Sequence, residues 1–228
     1  MGKKEKRWLL IGAILAGCAI IFTILVKFVD VKAIGPEGSK VGFAALNGAF
    51  AKLGFHSFFY DVSQGMGIIA LLLAAFFAGL GIKQLIEGKS LWSVDQGILA
   101  LGVLYVIVIL LYIIFDKLPL NYRPVILSAR KGLEASYPSS HTMLSIAVFG
   151  SAAFLIKDLI RDKRLIKTLQ QILVAFLIIT ILARLISGAH WFSDIIGGVL
   201  IGGALVAFYA AVLFRLRRNR RRIRDDYE

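Results

Sequence analysis

The chain is short of charge. Only 18% of its 228 residues are Asp, Glu, Lys or Arg, against about 25% in a soluble domain. Acids are scarcest, at 14 against 27 bases, and the net charge is +13. A single cysteine, Cys18, excludes an internal disulfide and leaves no redox clue about the loops. The three histidines and one cysteine show no zinc spacing, and no Gly-rich phosphate loop or dinucleotide fingerprint occurs. Internal repeats are absent, and the only biased tract is a basic tail. Apolar residues, in contrast, make up 58%, above the roughly 45–50% of soluble domains, and mean hydropathy is +0.79. That much apolar surface excludes a disordered chain and argues against a soluble nucleic-acid binder. An integral membrane protein with its positive charge in particular loops remains.

A helix needs about 20 apolar residues to cross a bilayer core about 30 Å thick. Six stretches qualify: 8–26, 66–86, 97–115, 139–156, 169–187 and 195–214. The fourth is long enough only if Ser139, Ser140 and His141 form its first turn. The expected fold is therefore all-α, a six-helix transmembrane bundle in a single domain. Two thirds of the 27 Lys and Arg fall at 3–7, 83–89, 157–167 and 215–224. The positive-inside rule then places both termini in the cytoplasm of a multi-pass cell-membrane protein. The basic tail reads as a stop-transfer flank that also attracts anionic lipid.

Segment 27–65 carries Leu46, Phe50 and Leu53 at helical spacing and an aromatic cluster from Phe55 to Tyr60. This predicts an amphipathic piece at the outer interface after the first span, with His56 an interfacial residue. Leu15-Ala16-Gly17-Cys18 resembles a lipoprotein cleavage box. The apolar run continues past it without a polar tether, so Cys18 reads as a small residue within a span.

Three polar groups fall on the predicted outer side. Arg184 lies near the end of the fifth span, where an arginine costs about 2.5–3.5 kcal/mol on insertion scales and usually has a partner or a function. Snorkelling to headgroups is the alternative. His190 and Asp194 follow at i,i+4 spacing, which on a helix shares one face. The carboxylate could then fix the imidazole tautomer and raise its basicity; a polar cap is the alternative. Tyr137-Pro138-Ser139-Ser140-His141 opens the fourth span, where either serine could cap the helix and free N–H groups suit an anion. Lys117 and Arg123 bring two more cations to the same level, Arg for bidentate phosphate contact and Lys as a point charge. Together these residues read as a phosphate site, with no metal demanded.

The combination resembles the type 2 phosphatidic acid phosphatase superfamily of membrane lipid phosphatases. That family's third motif stands here as Ala183-Arg184, five residues, His190, three residues, Asp194. Its second motif stands as Pro138-Ser139-Ser140-His141, and its first as Lys117, five residues, Arg123-Pro124. Three positions depart from the pattern: the Lys–Arg spacing is one residue short, Ser140 replaces a glycine, and Ala183 replaces a serine. The resemblance implies that His190 attacks phosphorus to form a phosphohistidine, oriented by Asp194, while protonated His141 donates to the leaving oxygen. Lys117, Arg123, Arg184 and the Ser139–Ser140 turn would bind phosphate, without a cofactor. The implied substrate is a lipid phosphate at the outer face: undecaprenyl pyrophosphate, phosphatidylglycerophosphate or phosphatidate. The expected partners are that lipid and the bilayer, with no nucleic acid and no obligate protein partner inferred.

Of the alternatives, one fits the same pattern and the others fit less of it. A lipid phosphotransferase of the same family would share every one of these residues. A transporter or channel would put polar groups at mid-span, and a rhomboid-type serine protease would leave the cationic ring unexplained. Gly198 and Gly202 form a GxxxG on the last span, read as a close helix-packing site.

Overall fold

Among the described residues, six helices are long and apolar enough to cross a membrane. A computed structural model describes residues 1–227. The element order is α1 (Lys3–Phe28), α2 (Ala44–Ala51), α3 (Ser57–Gly88), α4 (Gln96–Lys117), α5 (Ser140–Leu159), α6 (Lys163–Ile186) and α7 (Phe192–Tyr227), with two short 3-10 turns and no named strand among the described residues. The helices outrun the apolar stretches by up to about three and a half turns. Bilayer thickness fixes the apolar length of a span, whereas a helix continues through charged residues whose long stems reach water. Thus α1 begins at Lys3 rather than Trp8, and α3 takes in Ser57–Tyr60 of the predicted interfacial cluster.

The helices divide into a core pair and a surround. Of the most apolar stretch of α5, 61% is buried, and the same share of α7; the other four spans bury only 17–22%. Leu, Ile and Val on those four face outward, as expected where lipid is the solvent. Close approach of the core pair depends on glycine. A Cβ on Gly198 would lie 2.9 Å from Ser139 O and from Thr142 Cβ, and one on Gly202 would lie 2.9 Å from Ile146 Cβ. The GxxxG therefore seats α7 on the first two turns of α5, the turns that carry Ser140 and His141.

Turns at one end are fixed by caps. Asp95 accepts from Gly97 N at 2.7 Å and Ile98 N at 3.3 Å. Asp162 accepts from Arg164 N at 2.7 Å and Leu165 N at 3.4 Å. Ser139 occupies the N-cap position of α5, but its side chain makes no capping bond. The expected serine cap is thus replaced by packing: its hydroxyl accepts from Thr142 Oγ1 at 3.0 Å instead.

The segment after α1 departs from the predicted interfacial helix. Between α1 and α3 the α-helix is confined to Ala44–Ala51, and Leu53 lies beyond it. α2 docks on the start of α7 through a stacked Phe50–Phe192 pair with centroids 4.1 Å apart. Buried Asn47 adds bonds to Ser193 Oγ at 2.9 Å and from Ser193 N at 3.0 Å. The period of Leu46 and Phe50 marked a helix correctly. What it could not mark was that one face of this helix meets protein.

Gly198→Val should force α7 off α5 and cost about 1–3 kcal/mol, the usual range for overpacking. Thermal unfolding of the purified protein in detergent measures it, with Gly79→Ala as the control, since a Cβ there has nothing within 4 Å.

Candidate active site

The starts of α5 and α7, the end of α6 and the loop after α4 meet at one end of the bundle. Between them and α3 lies a cavity of about 760 Å³. Its polar end is lined by Arg123, Ser140, His141, Arg184 and His190, and its apolar side by Ile68, Leu71, Val108, Ile109 and Leu144.

Arg184 is 1% exposed, which leaves the protein to replace its hydration. Its Nη1 donates to Ser63 Oγ at 2.8 Å and Gln64 Oε1 at 3.4 Å. Its Nη2 donates to His141 Nδ1 at 2.9 Å. The guanidinium also sits 5.3 Å from the Tyr60 ring centroid. One polar turn of α3 thus faces the arginine. One turn farther along, Gly67 makes room for His141: a Cβ there would come within 2.8 Å of His141 Cδ2.

His190 sits in the turn before α7, not on the helix. Its relation to Asp194 is therefore not the shared helical face that the spacing implies. The two meet because the turn folds back, with Nδ1 3.5 Å from Asp194 Oδ2. Arg123 Nη1 lies 3.1 Å from His190 Nε2. A guanidinium can only donate, so Nε2 accepts and the proton of the neutral ring is on Nδ1. That N–H points at Ser136 O, 3.1 Å away, and lies 3.2 Å from Ser136 Oγ. The Ser136 hydroxyl in turn donates to Asp194 Oδ2. Asp194 also accepts from Trp191 N at 2.9 Å and Asn121 Nδ2 at 3.3 Å. Full burial, then the positive charge of Arg123 and Arg184, holds the His190 pKa well below its ordinary value. It stays a neutral imidazole.

The predicted residues do not all converge. Arg123, Ser140, His141, Arg184 and His190 line the cavity, with Asp194 directly behind His190. Ser139 is buried beneath it, and its backbone N donates to Asp194 O at 2.9 Å. Lys117 is exposed at the end of α4 and outside the lining. The lysine in the lining is Lys131, whose Nζ is 3.2 Å from Glu134 Oε1. Glu134 also lies 3.7 Å from Arg123 Nε. Spacing did not single out Ser136, Asn121, Ser63 or Gln64. Ser136 sits between two quoted motif residues, Arg123 and Pro138, and that position is its only sequence signal.

Chemically, the cavity offers two guanidinium groups, two imidazoles and a helix N-terminus to one guest. Arg123 Nε and Arg184 Nε are buried without a hydrogen-bond partner among the described residues. Unused buried donors on two cations favour an anion with several acceptor oxygens.

Comparisons with known proteins identify the family and the fold. The model of the PAP2 superfamily matches residues 63–218. The fold is similar to the crystal structure of a transmembrane PAP2 type phosphatidylglycerolphosphate phosphatase from Bacillus subtilis, with TM-score 0.61 and 18% identity, covering 91% of this chain and 96% of that one. No curated protein sequence matches significantly.

Two outcomes follow from the buried pair. Ser136→Ala deprives Asp194 of a hydroxyl donor and should destabilise by about 1.5–3 kcal/mol, as for a lost bond to a charged group; Ser136→Thr should retain most of it. His190 takes a proton when unfolded but not when folded, so its contribution to stability falls as pH drops below about 6.5. The slope is about 1.4 kcal/mol per pH unit until the native pKa is reached. Comparing unfolding of the wild type and His190→Gln from pH 8 to 5 measures it; parallel curves would contradict a neutral buried His190.

Proposed function

Since the chain belongs to the PAP2 superfamily, we propose that it is a membrane lipid phosphatase that hydrolyses the phosphate or pyrophosphate headgroup of a lipid at the outer face. The observation that carries this reading is the shape of the cavity. Two arginines and two histidines close its polar end, and its apolar side is formed by α3, α4 and α5. An amphiphile with a terminal phosphate matches both ends.

His190 is the nucleophile in this reading. Its Nε2 lone pair faces the cavity, and the proton on Nδ1 is held by Ser136 and Asp194. Nε2 attacks phosphorus, the P–O bond to the lipid breaks, and a phosphohistidine forms. Water then attacks that phosphorus and releases phosphate. His141 donates the proton to the leaving oxygen. Its Nδ1 accepts from Arg184, and an imidazolium has no lone pair to accept with. The incoming phosphate must therefore draw Arg184 off His141 before His141 can carry its second proton. The same holds for Arg123, which occupies the His190 Nε2 lone pair until the phosphate claims it. Each arginine thus moves from an imidazole to the phosphoryl oxygens, where charge neutralisation and positioning supply most of the catalysis. Ser140 and the start of α5 add donors. Lys131, which lines the cavity, supplies the further cation for which Lys117 was expected.

The candidate substrates are phosphatidylglycerophosphate, the kind named for the structural neighbour, undecaprenyl pyrophosphate and phosphatidate. Both termini then lie in the cytoplasm, with the cavity on the opposite side.

Purified protein should release phosphate from at least one of the three lipids, with inhibition by vanadate. His190→Ala should abolish release and acid-labile labelling, and Asp194→Asn should lower the rate without abolishing it. Stoichiometric acid-labile phosphorylation of His190→Ala would exclude His190 as nucleophile. Transfer of label to a lipid acceptor in place of water would identify a phosphotransferase.

A further inference from the structure

We infer that the end of the bundle opposite the histidines holds a second anion site, built to take the phosphate group of an anionic lipid or a free phosphate. The inference does not depend on the reaction at the other end. The start of α1, the end of α5 and the extension of α7 enclose a cavity of about 660 Å³, within the roughly 300–1,000 Å³ of ligand sites. Six cations line it: Lys3, Lys4, Lys157, Arg217, Arg218 and Arg220. Glu5 and Asp158 are the two carboxylates in the lining.

Topology alone accounts for cations at this end, because loops on the cytoplasmic side carry excess Lys and Arg. It does not account for their being held in place. Arg217 grips Asp158 with Nε at 2.8 and 3.0 Å and with Nη2 at 2.9 Å, and its Nη2 also donates to Phe154 O at 2.7 Å. Arg218 Nη1 lies 2.9 Å from Glu5 Oε2. Arg220 Nη2 donates to Asp95 Oδ2 at 2.8 Å. Carboxylates on α5, on α1 and at the cap of α4 therefore fix three guanidinium groups in advance, so a ligand need not order them. Arg218 Nε is still buried without a hydrogen-bond partner among the described residues. Lys3, Lys4 and Lys157 form no salt bridge among the described residues. The cavity keeps more positive charge than its own carboxylates neutralise.

The surroundings suit a lipid. Trp8 packs edge-on against Phe154 with centroids 4.9 Å apart, and Phe154 lies 6.5 Å from Phe214. Tryptophan is enriched at headgroup depth, which suits Trp8. Directly after it on α1, Leu9 and Leu10 are 43% and 62% exposed. A phosphate in the cavity could thus keep its acyl chains beside α1 in the adjacent leaflet, as in the basic interhelical pockets that bind anionic headgroups. Such a ligand would tie α1 to α5 and α7 and stabilise the bundle by mass action.

The test uses the full chain in detergent, with phosphatidylglycerol, phosphatidylcholine or inorganic phosphate added. Phosphatidylglycerol has no terminal monoester for the other site to cleave. Thermal unfolding reports stabilisation, and native mass spectrometry counts retained lipid. Phosphatidylglycerol should be retained and raise Tm, whereas phosphatidylcholine should not. Lys3→Gln/Lys4→Gln/Lys157→Gln should weaken the effect by about tenfold or more, since each basic residue near the surface contributes on that scale. The corresponding triple Arg variant should keep it. A shift with inorganic phosphate, lost in the Gln variant, would support the site with a free anion as its occupant. Absence of any anion-selective shift, or a shift undiminished in the Gln variant, would overturn the proposal.

Discussion

A guanidinium buried among membrane helices is the constraint on which the site end of the bundle depends. Arg184 is 1% exposed, and neither lipid nor bulk water can solvate it there. An isolated charge in such surroundings is expensive, so its neighbours must replace the lost hydration. That need explains the polar turn of α3. Ser63 and Gln64, just before the apolar run of α3, accept from Arg184, and Tyr60 presents its ring face. His141 supplies another acceptor from α5. One side chain thus fixes α3, α5 and α6 relative to one another.

A second buried charge does the same on the other side of the cavity. The Asp194 carboxylate is held by Ser136, Asn121 and Trp191 N, so the loop after α4 is pinned to the start of α7. Asn121 also accepts from Gly42 N at 3.3 Å, and Asn47 fastens α2 to Ser193. These groups are 0–2% exposed, and each unsatisfied one would carry a desolvation penalty. The network can therefore hold His190 in one tautomer only while it remains complete.

How much of this was legible follows from the range of each interaction. The six spans were readable because a bilayer imposes a length and a composition on every crossing, and Arg184, His141 and His190 stood out because a costly residue in an apolar stretch needs a reason. Residues whose role is set by contact across the chain were not readable. Ser136 is an ordinary serine until the turn before α7 brings Asp194 and His190 against it. The i,i+4 spacing of His190 and Asp194 predicted proximity for the wrong reason: a turn, not a helix face, brings them together. Lys117 was chosen by motif order, but the end of α4 carries it away from the cavity, while the following loop brings the exposed Lys131 to the cavity rim. Helix ends were misjudged because hydropathy measures the membrane, and α1 and α7 continue beyond it.

The two arginine–imidazole bonds also bear on where binding energy can act. Arg123 and Arg184 each donate to an imidazole, a weaker partner than a phosphate group, which adds the attraction of opposite charges and can be gripped bidentately. A neutral guest would gain little by breaking them. A phosphate gains two guanidinium contacts and, in leaving His190 Nε2 and His141 Nδ1 free, creates the nucleophile and lets His141 take up the proton that it donates to the leaving oxygen. The site would then become reactive only when the correct charge is inside it. Water entering the cavity alone would find both imidazoles occupied. Rejection of uncharged headgroups in such a site needs no steric gate, because the groups that bind the substrate are the same groups that block the chemistry in its absence.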